Sequence, residues 1–250
     1  MNDAHFSYVL RLGDNALILG QRLSEWCGHS PFLEEDIAMA NTALDHIGRA
    51  RMLYSHAGAL EGQGRDEDAL AYLRDEREFG NFLICELPNG DFAFTLVRQY
   101  LIDVYHEQLF AALAASSDET LAAIAAKAVK EAAYHVRRSR DWVVRLGDGT
   151  DESNARAQAA LDDLWGYTAE FFQADAVDTA ASAAVIAPPA AALEGPWRDA
   201  VEATLAAATL VIPDDDWQAS GGREGLHTEH MGRLLAELQI MQRSHPGLAW

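Results

Sequence analysis

Several things are scarce in this sequence. Cysteine occurs only at Cys27 and Cys85, with no CxxC spacing, so neither a disulfide framework nor a thiolate zinc site is supported. Proline occurs seven times, and none lies between Pro31 and Pro88 or between Pro88 and Pro188. Those long stretches are free of helix breakers. Cations are few, with Lys+Arg 19 against Asp+Glu 39 and a formal net charge of -20. Nucleic acid and anionic membrane surfaces both call for a basic footprint, and this chain lacks one. No uncharged apolar run reaches membrane-spanning length; the nearest, Ala180 to Leu193, contains two prolines. Met1 to Leu10 lacks the basic start and apolar core of a secretion signal. A cytoplasmic protein without nucleic-acid or membrane partners is expected.

What is present is helical material. With 250 residues and 49% hydrophobic composition, the chain can bury the core of one large domain. Its proline-free stretches are rich in Ala, Leu, Glu, Arg and Gln, and none alternates at period two. An all-α fold follows, with helices expected over His5–Cys27, Phe32–Gly62, Asp66–Glu86, Phe92–Ala115, Asp118–Gly147, Ser153–Asp175, Trp197–Ala208 and Gly225–Gln242. Ser116 and Glu119 suggest a capping box for the fifth helix, and Gly147-Asp148-Gly149 its stop. Its inward stripe reads Leu121, Ala125, Ala128, Ala132, His135, Ser139 and Trp142. A helix of that length extends about 45 Å. Long antiparallel helices suggest a bundle, where side chains at mid-helix build cofactor sites. The Ala/Pro-rich stretch from Ala180 to Pro196 reads as a connector, and the tryptophans as core or interface anchors.

Helical bundles that hold two irons use a carboxylate from each of two helices and Glu-x-x-His from each of two more. Three-residue spacing sets both side chains on one face. The local matches here are incomplete. Asp103 and His106 have the spacing, beside Glu107; Glu131 and His135 are four apart, with Ala132 where the second motif needs an acid; Asp45, His46 and Arg49 cluster in the second helix; and Asp14 and Glu25 lie in the first. Acid–histidine pairs on an acidic helical protein more often support helix surfaces or hydrogen-bond in the core. Asp103 shares its stripe with Leu96, Tyr100 and Phe110, so it is expected to be buried with a partner, for which Arg49 is a candidate. Near the C-terminus, Gly221, Gly222, Arg223, His227 and His230 form an unusual string. It reads as a loop able to meet an anion, or as an interface, with structural use favoured.

Six strings together resemble one family across almost the whole chain: RLGDNALIL (Arg11–Leu19), QRLSEWCGH (Gln21–His29), ELPNGDF (Glu86–Phe92), RQYLID (Arg98–Asp103), KAVKEAAYH (Lys127–His135) and GGREGLHTEH (Gly221–His230). They resemble the structural, non-catalytic C-type subunits of bacterial phenylacetyl-CoA epoxidase, a multicomponent ring 1,2-monooxygenase. The resemblance implies a ferritin-like four-helix-bundle core at about residues 5–147, with accessory helices over about 153–250, in a single domain. It implies a homologous catalytic partner that carries the di-iron site, a small bridging subunit, and a reductase with flavin and iron–sulfur centres. It implies no cofactor in this chain. The family reaction is epoxidation of the aromatic ring of phenylacetyl-CoA by O₂.

Set against the catalytic partner's ligand pattern, the resemblance places Glu25 and Asp103 at two single-carboxylate positions and His135 at a histidine position. It places His46 and Ala132 where glutamates stand, and Arg49 where a histidine stands. A guanidinium in such a site repels cations and pairs with acids. The implied arrangement is a metal-free polar core of Glu25, Arg49, Asp103 and His135. The competing readings are a self-sufficient di-iron oxidase using Asp103, His106, Glu131 and His135, and an acyl-CoA binding module using Arg223. An isolated chain with its partner face uncovered is expected to form an isologous homodimer.

Overall fold

The computed structural model describes residues 2–214 and 216–248, and among these every regular element is helical. In chain order the α-helices are α1 (Asn2–Ser24), α2 (Leu33–Glu61), α3 (Glu67–Tyr72), α4 (Leu83–Glu86), α5 (Phe92–Leu113), α6 (Glu119–Gly147), α7 (Asp151–Trp165), α8 (Ala176–Ala183), α9 (Glu194–Ala207) and α10 (Met231–Ser244). No helix among the described residues is long and apolar enough to cross a membrane. The chain divides into two compact units, Met1–Pro88 with Ser220–Trp250, and Asn89–Ala219.

In the first unit α1 and α2 run antiparallel: Gly13 sits against Tyr54, and Gly20 against His46 and Ile47. The acids Glu34, Glu35 and Asp36 fill the first turn of α2, where the helix dipole favours negative charge. A buried ionic knot ties this pair to the segment that follows. Arg74 donates to both carboxylate oxygens of Asp14, Tyr54 donates to Asp14 at 2.7 Å, and the Gly80 amide donates at 2.8 Å. Arg74 also donates to the Leu70 and Glu78 carbonyls and lies over the Phe79 ring at 4.0 Å. From α10, Gln239 donates to the carbonyls of Ala71 and Arg74.

In the second unit α5 is apolar nearly all round and buried along most of its length, as befits a central helix. It runs antiparallel to α6, with Phe92 edge-on to Trp142 at 5.0 Å. Trp197 of α9 is fully buried and donates its indole N–H to the Leu101 carbonyl at 2.9 Å. Tyr105 stacks on Phe171.

The helices α1, α2, α5 and α6 fall where the sequence places them, and other expectations need correction. Among them is Ser153–Asp175, where α7 stops at Trp165 and a 3-10 helix spans Gly166–Phe171. The segment Asp66–Glu86 is not one helix: α3 stops at Tyr72, a 3-10 turn spans Glu76–Glu78, and α4 is a single turn. Asp75 and Glu78 cap that turn reciprocally, and Gly80 lies so close to Arg11 that a Cβ would stand 2.8 Å from its Cγ. The tertiary knot, not helix propensity, decides the path there. Helix α6 is capped by Asp118, which accepts from the amides of Thr120 and Leu121, while Ser116 donates away to the Ile186 carbonyl. Its stripe is buried through Ser139 and then passes to Val143, leaving Trp142 half-buried. The Ala/Pro-rich stretch is not a bare connector, since it carries α8 and the 3-10 turn Ala190–Leu193, with Ala181 and Leu193 buried. The predicted start of the last helix at Gly225 is also early, because a turn precedes α10.

Candidate functional site

In the first unit, His46 and Arg49 lie one turn apart on the inner face of α2 and are fully buried, with Arg49 Nη1 3.5 Å from His46 Nδ1. Glu25 does not join them. It lies beyond the end of α1 in an exposed turn, where it accepts from Arg22 at 2.9 Å. At the level of His46, α1 presents Gly20, whose added Cβ would stand 3.2 Å from His46 Cβ, and one turn earlier the buried Ala16. The buried core with Glu25 as a member is therefore corrected: the facing surface of α1 offers no acid at this height. Asp14, an acid within α1, is consumed by Arg74, Tyr54 and Gly80. Burial, and then the neighbouring Asp14, push the Tyr54 hydroxyl well above its ordinary pKa.

In the second unit, Asp103 is buried and accepts from Gln99 Nε2 at 2.6 Å. Across from it on α6 stand His135 and Ser139, both buried, and one turn before His135 the methyl of Ala132. Burial raises the Asp103 pKa to about 6, and His135, Ser139, Gln99 and Arg138 offset only part of that. His106, one turn along α5, is buried against the Phe110 ring at 5.3 Å. Glu131 is half-buried with Lys127 at 3.6 Å. Among the described residues, no three of Asp103, His106, Glu131 and His135 bring ligand atoms within 4.8 Å of one another.

The Gly221–His230 string has found its anion inside the protein. His227, with its side chain fully buried, places Nδ1 2.8 Å from Glu86 Oε2 and Nε2 3.1 Å from the Phe79 carbonyl. Both partners are acceptors, so both ring nitrogens carry protons and the imidazole is cationic. Its pKa is raised, because the hydrogen bond and charge of Glu86 outweigh the burial that opposes it. Glu86 also accepts from Asn81 Nδ2 and from the Thr228 amide. Gly225, at φ +73°, packs on the Arg77 carbonyl where a Cβ would collide. Arg223 lies over the Phe82 ring at 4.4 Å, and its carbonyl accepts from Arg11. His230 precedes α10 as its cap residue, without a side-chain capping bond. The expectation of a loop open to an outside anion is thus corrected: the donors from His227 and Thr228 are spent on Glu86.

Glu86 and Arg74 are the residues that sequence reasoning missed as organisers. Their partners lie 141 and 60 residues away, so no local spacing announces them. Of the tryptophans, Trp197 is the buried anchor expected, Trp217 walls an open cleft of about 280 Å³ with Trp165 and Arg198, and Trp250 lies outside the described residues. The candidate residues are the buried His46 and Arg49 of α2 in the first unit and the buried Asp103, His106 and His135 of α5 and α6 in the second, and no position on these helices supplies a Glu-x-x-His.

Comparison with known proteins agrees with the motif strings. The chain is 52% identical over 244 residues to the C component of 1,2-phenylacetyl-CoA epoxidase from Escherichia coli (strain K12), a match that covers 98% of each chain. A family model described as phenylacetic acid catabolic protein matches residues 1–250. The chain belongs to the phenylacetic acid catabolic protein family.

Proposed function

We propose that this chain is a non-catalytic, structural subunit of a cytoplasmic phenylacetyl-CoA 1,2-epoxidase. It stabilises a homologous subunit that carries the two irons and performs the ring epoxidation. The observation that carries this reading is the 52% identity, over 98% of both chains, with a protein named as the C component of that epoxidase. In this reading the fold is ferritin-like, a single domain whose bundle core takes α1, α2, α5 and α6, followed by accessory helices. The other components are a small bridging subunit and a reductase supplying electrons through flavin and iron–sulfur centres.

The residues support a chain without its own metal pair. Of the six positions that the family resemblance sets at ligand sites, Ala132 has no donor atom, Arg49 is a buried fixed cation, and Glu25 lies at the surface on Arg22. The donors left, His46, Asp103 and His135, supply one carboxylate, whereas a ferritin-like di-iron site uses four. A guanidinium cannot release its proton near neutral pH, so Arg49 repels any cation brought to His46. The residues do not fit the di-iron group, and no step of the reaction is assigned to them. What they do is hold the inner faces of their helices polar and hydrogen-bonded, as a core that needs no metal to fold. The acyl-CoA reading loses its basis, since Arg223 rests on Phe82 and the loop donors are bound to Glu86.

The test is co-expression with the iron-bearing homologue, followed by iron counting and epoxidase assay of each chain alone and of the complex. Activity that needs both chains, with iron only in the other, is the expected result. About two irons bound per copy of this chain alone would overturn the reading.

A further inference from the structure

The outward face of α2 departs from what a surface helix normally shows. Its inner side buries Met39, Ala43, Leu53 and Tyr54. Its outer side, in the same turns, exposes Leu33 (73%), Ile37 (53%), Leu44 (63%) and Ile47 (38%), with the small Ala40 between them. These five positions are spaced 4, 3, 4 and 3 apart, the repeat of a helix seam that receives another helix. A helix apolar on both sides belongs inside a structure. The stripe ends at a pocket of about 240 Å³ that Ile47 shares with Leu17, Ala71 and Tyr72.

A second observation is independent of hydrophobicity. Gly48 stands mid-helix on this same outer side, and a Cβ added there meets nothing within 4 Å. Glycine weakens a helix interior relative to alanine, and no contact within the chain requires it. An open glycine beside an apolar seam leaves room for a second backbone to come close.

The flanks decide the occupant. Glu34 and Asp45 border the stripe along one edge, and Glu67 and Asp68 border the pocket. Arg51 is the cation on that rim, and it leans on Glu67 at 3.3 Å. A second copy laid antiparallel about Ala40 would set Glu34 of each chain within one residue of the level of the other's Asp45, two like-charge encounters in one small interface. A chain of opposite flank charge has no such conflict.

We infer that the outer face of α2, from Leu33 to Gly48, is the seat of an apolar helix with Lys or Arg along its edges, belonging to a different subunit of the assembly. This rests on the reading of the chain as an epoxidase subunit. It adds which face is used and what chemistry the partner presents.

The experiment uses the full chain co-expressed with the tagged iron-bearing homologue, comparing wild type, I37E/L44E, G48L and V211E, an exposed apolar position of the second unit. I37E/L44E and G48L should each lower the co-purified chain at least tenfold while the isolated variants melt at or above the wild-type temperature, and V211E should co-purify as wild type does. The charge variant E34K/D45K should also weaken the complex, with a flatter salt dependence. Wild-type recovery of both I37E/L44E and G48L would overturn the face while leaving the subunit reading intact. Failure of wild type itself to co-purify would overturn both. A lone-chain dimer on light scattering that I37E/L44E dissociates would assign the face to a second copy and overturn the inference.

Discussion

Asp14 in the first unit and Asp103 in the second are both buried helix carboxylates, and their surroundings differ in kind. Asp14 has a bidentate guanidinium from Arg74, the Tyr54 hydroxyl and the Gly80 amide. Asp103 has the neutral amide of Gln99 at 2.6 Å and a ring nitrogen of His106 within 4.8 Å, while His135, Ser139 and Arg138 offset only part of its burial. The pKa of Asp103 rises to about 6, while Arg74 stays charged because the attraction of Asp14 outweighs its burial. The same first unit repeats its solution at Glu86 and His227, another buried ion pair with every nearby donor engaged. One unit uses buried charge as a fastening across distant segments. The other keeps an acid at a standing cost near neutral pH.

The sharpest way to break this contrast is Arg74→Met. It leaves Asp14 buried with a phenol and an amide, and the loss should be about 3–5 kcal/mol, as for other broken buried pairs. A denaturant titration at pH 7 checks it, and a loss under about 1 kcal/mol would show that the knot is ornamental.

Asp103→Asn should act in the opposite direction. The folded-state pKa of about 6 lies above the ordinary value of 3.8. The contribution of the bound proton is therefore complete below about pH 4 and is lost as the pH climbs through 6. At about 1.4 kcal/mol per unit the ionised form costs about 3 kcal/mol above that window. Asparagine keeps an acceptor for Gln99 and removes the ionisation, so the variant should gain about 2–3 kcal/mol at about pH 8 and almost nothing at about pH 4. Parallel stability curves for variant and wild type across that range would contradict the account.

His227→Gln is the smallest of the three, at about 2 kcal/mol for charge-assisted hydrogen bonds. Because the folded pKa of His227 is raised, its contribution is fully present below the ordinary histidine value and disappears as the pH rises through the folded one. Wild type should lose stability as the pH rises above the ordinary histidine range, where the glutamine variant stays flat. Proteolysis or hydrogen exchange of residues 220–230 should report the same difference locally.

The long helices were legible because their composition and breakers agree, and Gly147 ends α6 as expected, whereas the cap of α6 is Asp118 and not Ser116. The buried stripe of α6 was legible down to His135 and Ser139 for the same reason, a 3.6-residue period over many turns. Residues 66–86 were not, since Arg74 and Gly80 follow Asp14 rather than their own neighbours. Glu25 was misread because one-dimensional alignment fixes no helix end, and α1 stops at Ser24. The glycine-rich string was read as a loop able to meet an anion or as an interface, with structural use favoured, and its donors turn inward. Its acceptor, Glu86, lay far back in the sequence, where no spacing rule reaches it.

The Asp14–Arg74 knot receives Gln239 from α10, and Glu86 receives His227, so the first unit closes only with the segment that follows Ser220. The segment Asn89–Ala219 is continuous and can collapse as soon as it leaves the ribosome, whereas α1 through α4 wait for α10 to emerge. A nascent chain stalled before Ser220 would therefore display an unfinished first unit, open to chaperones until α10 arrives.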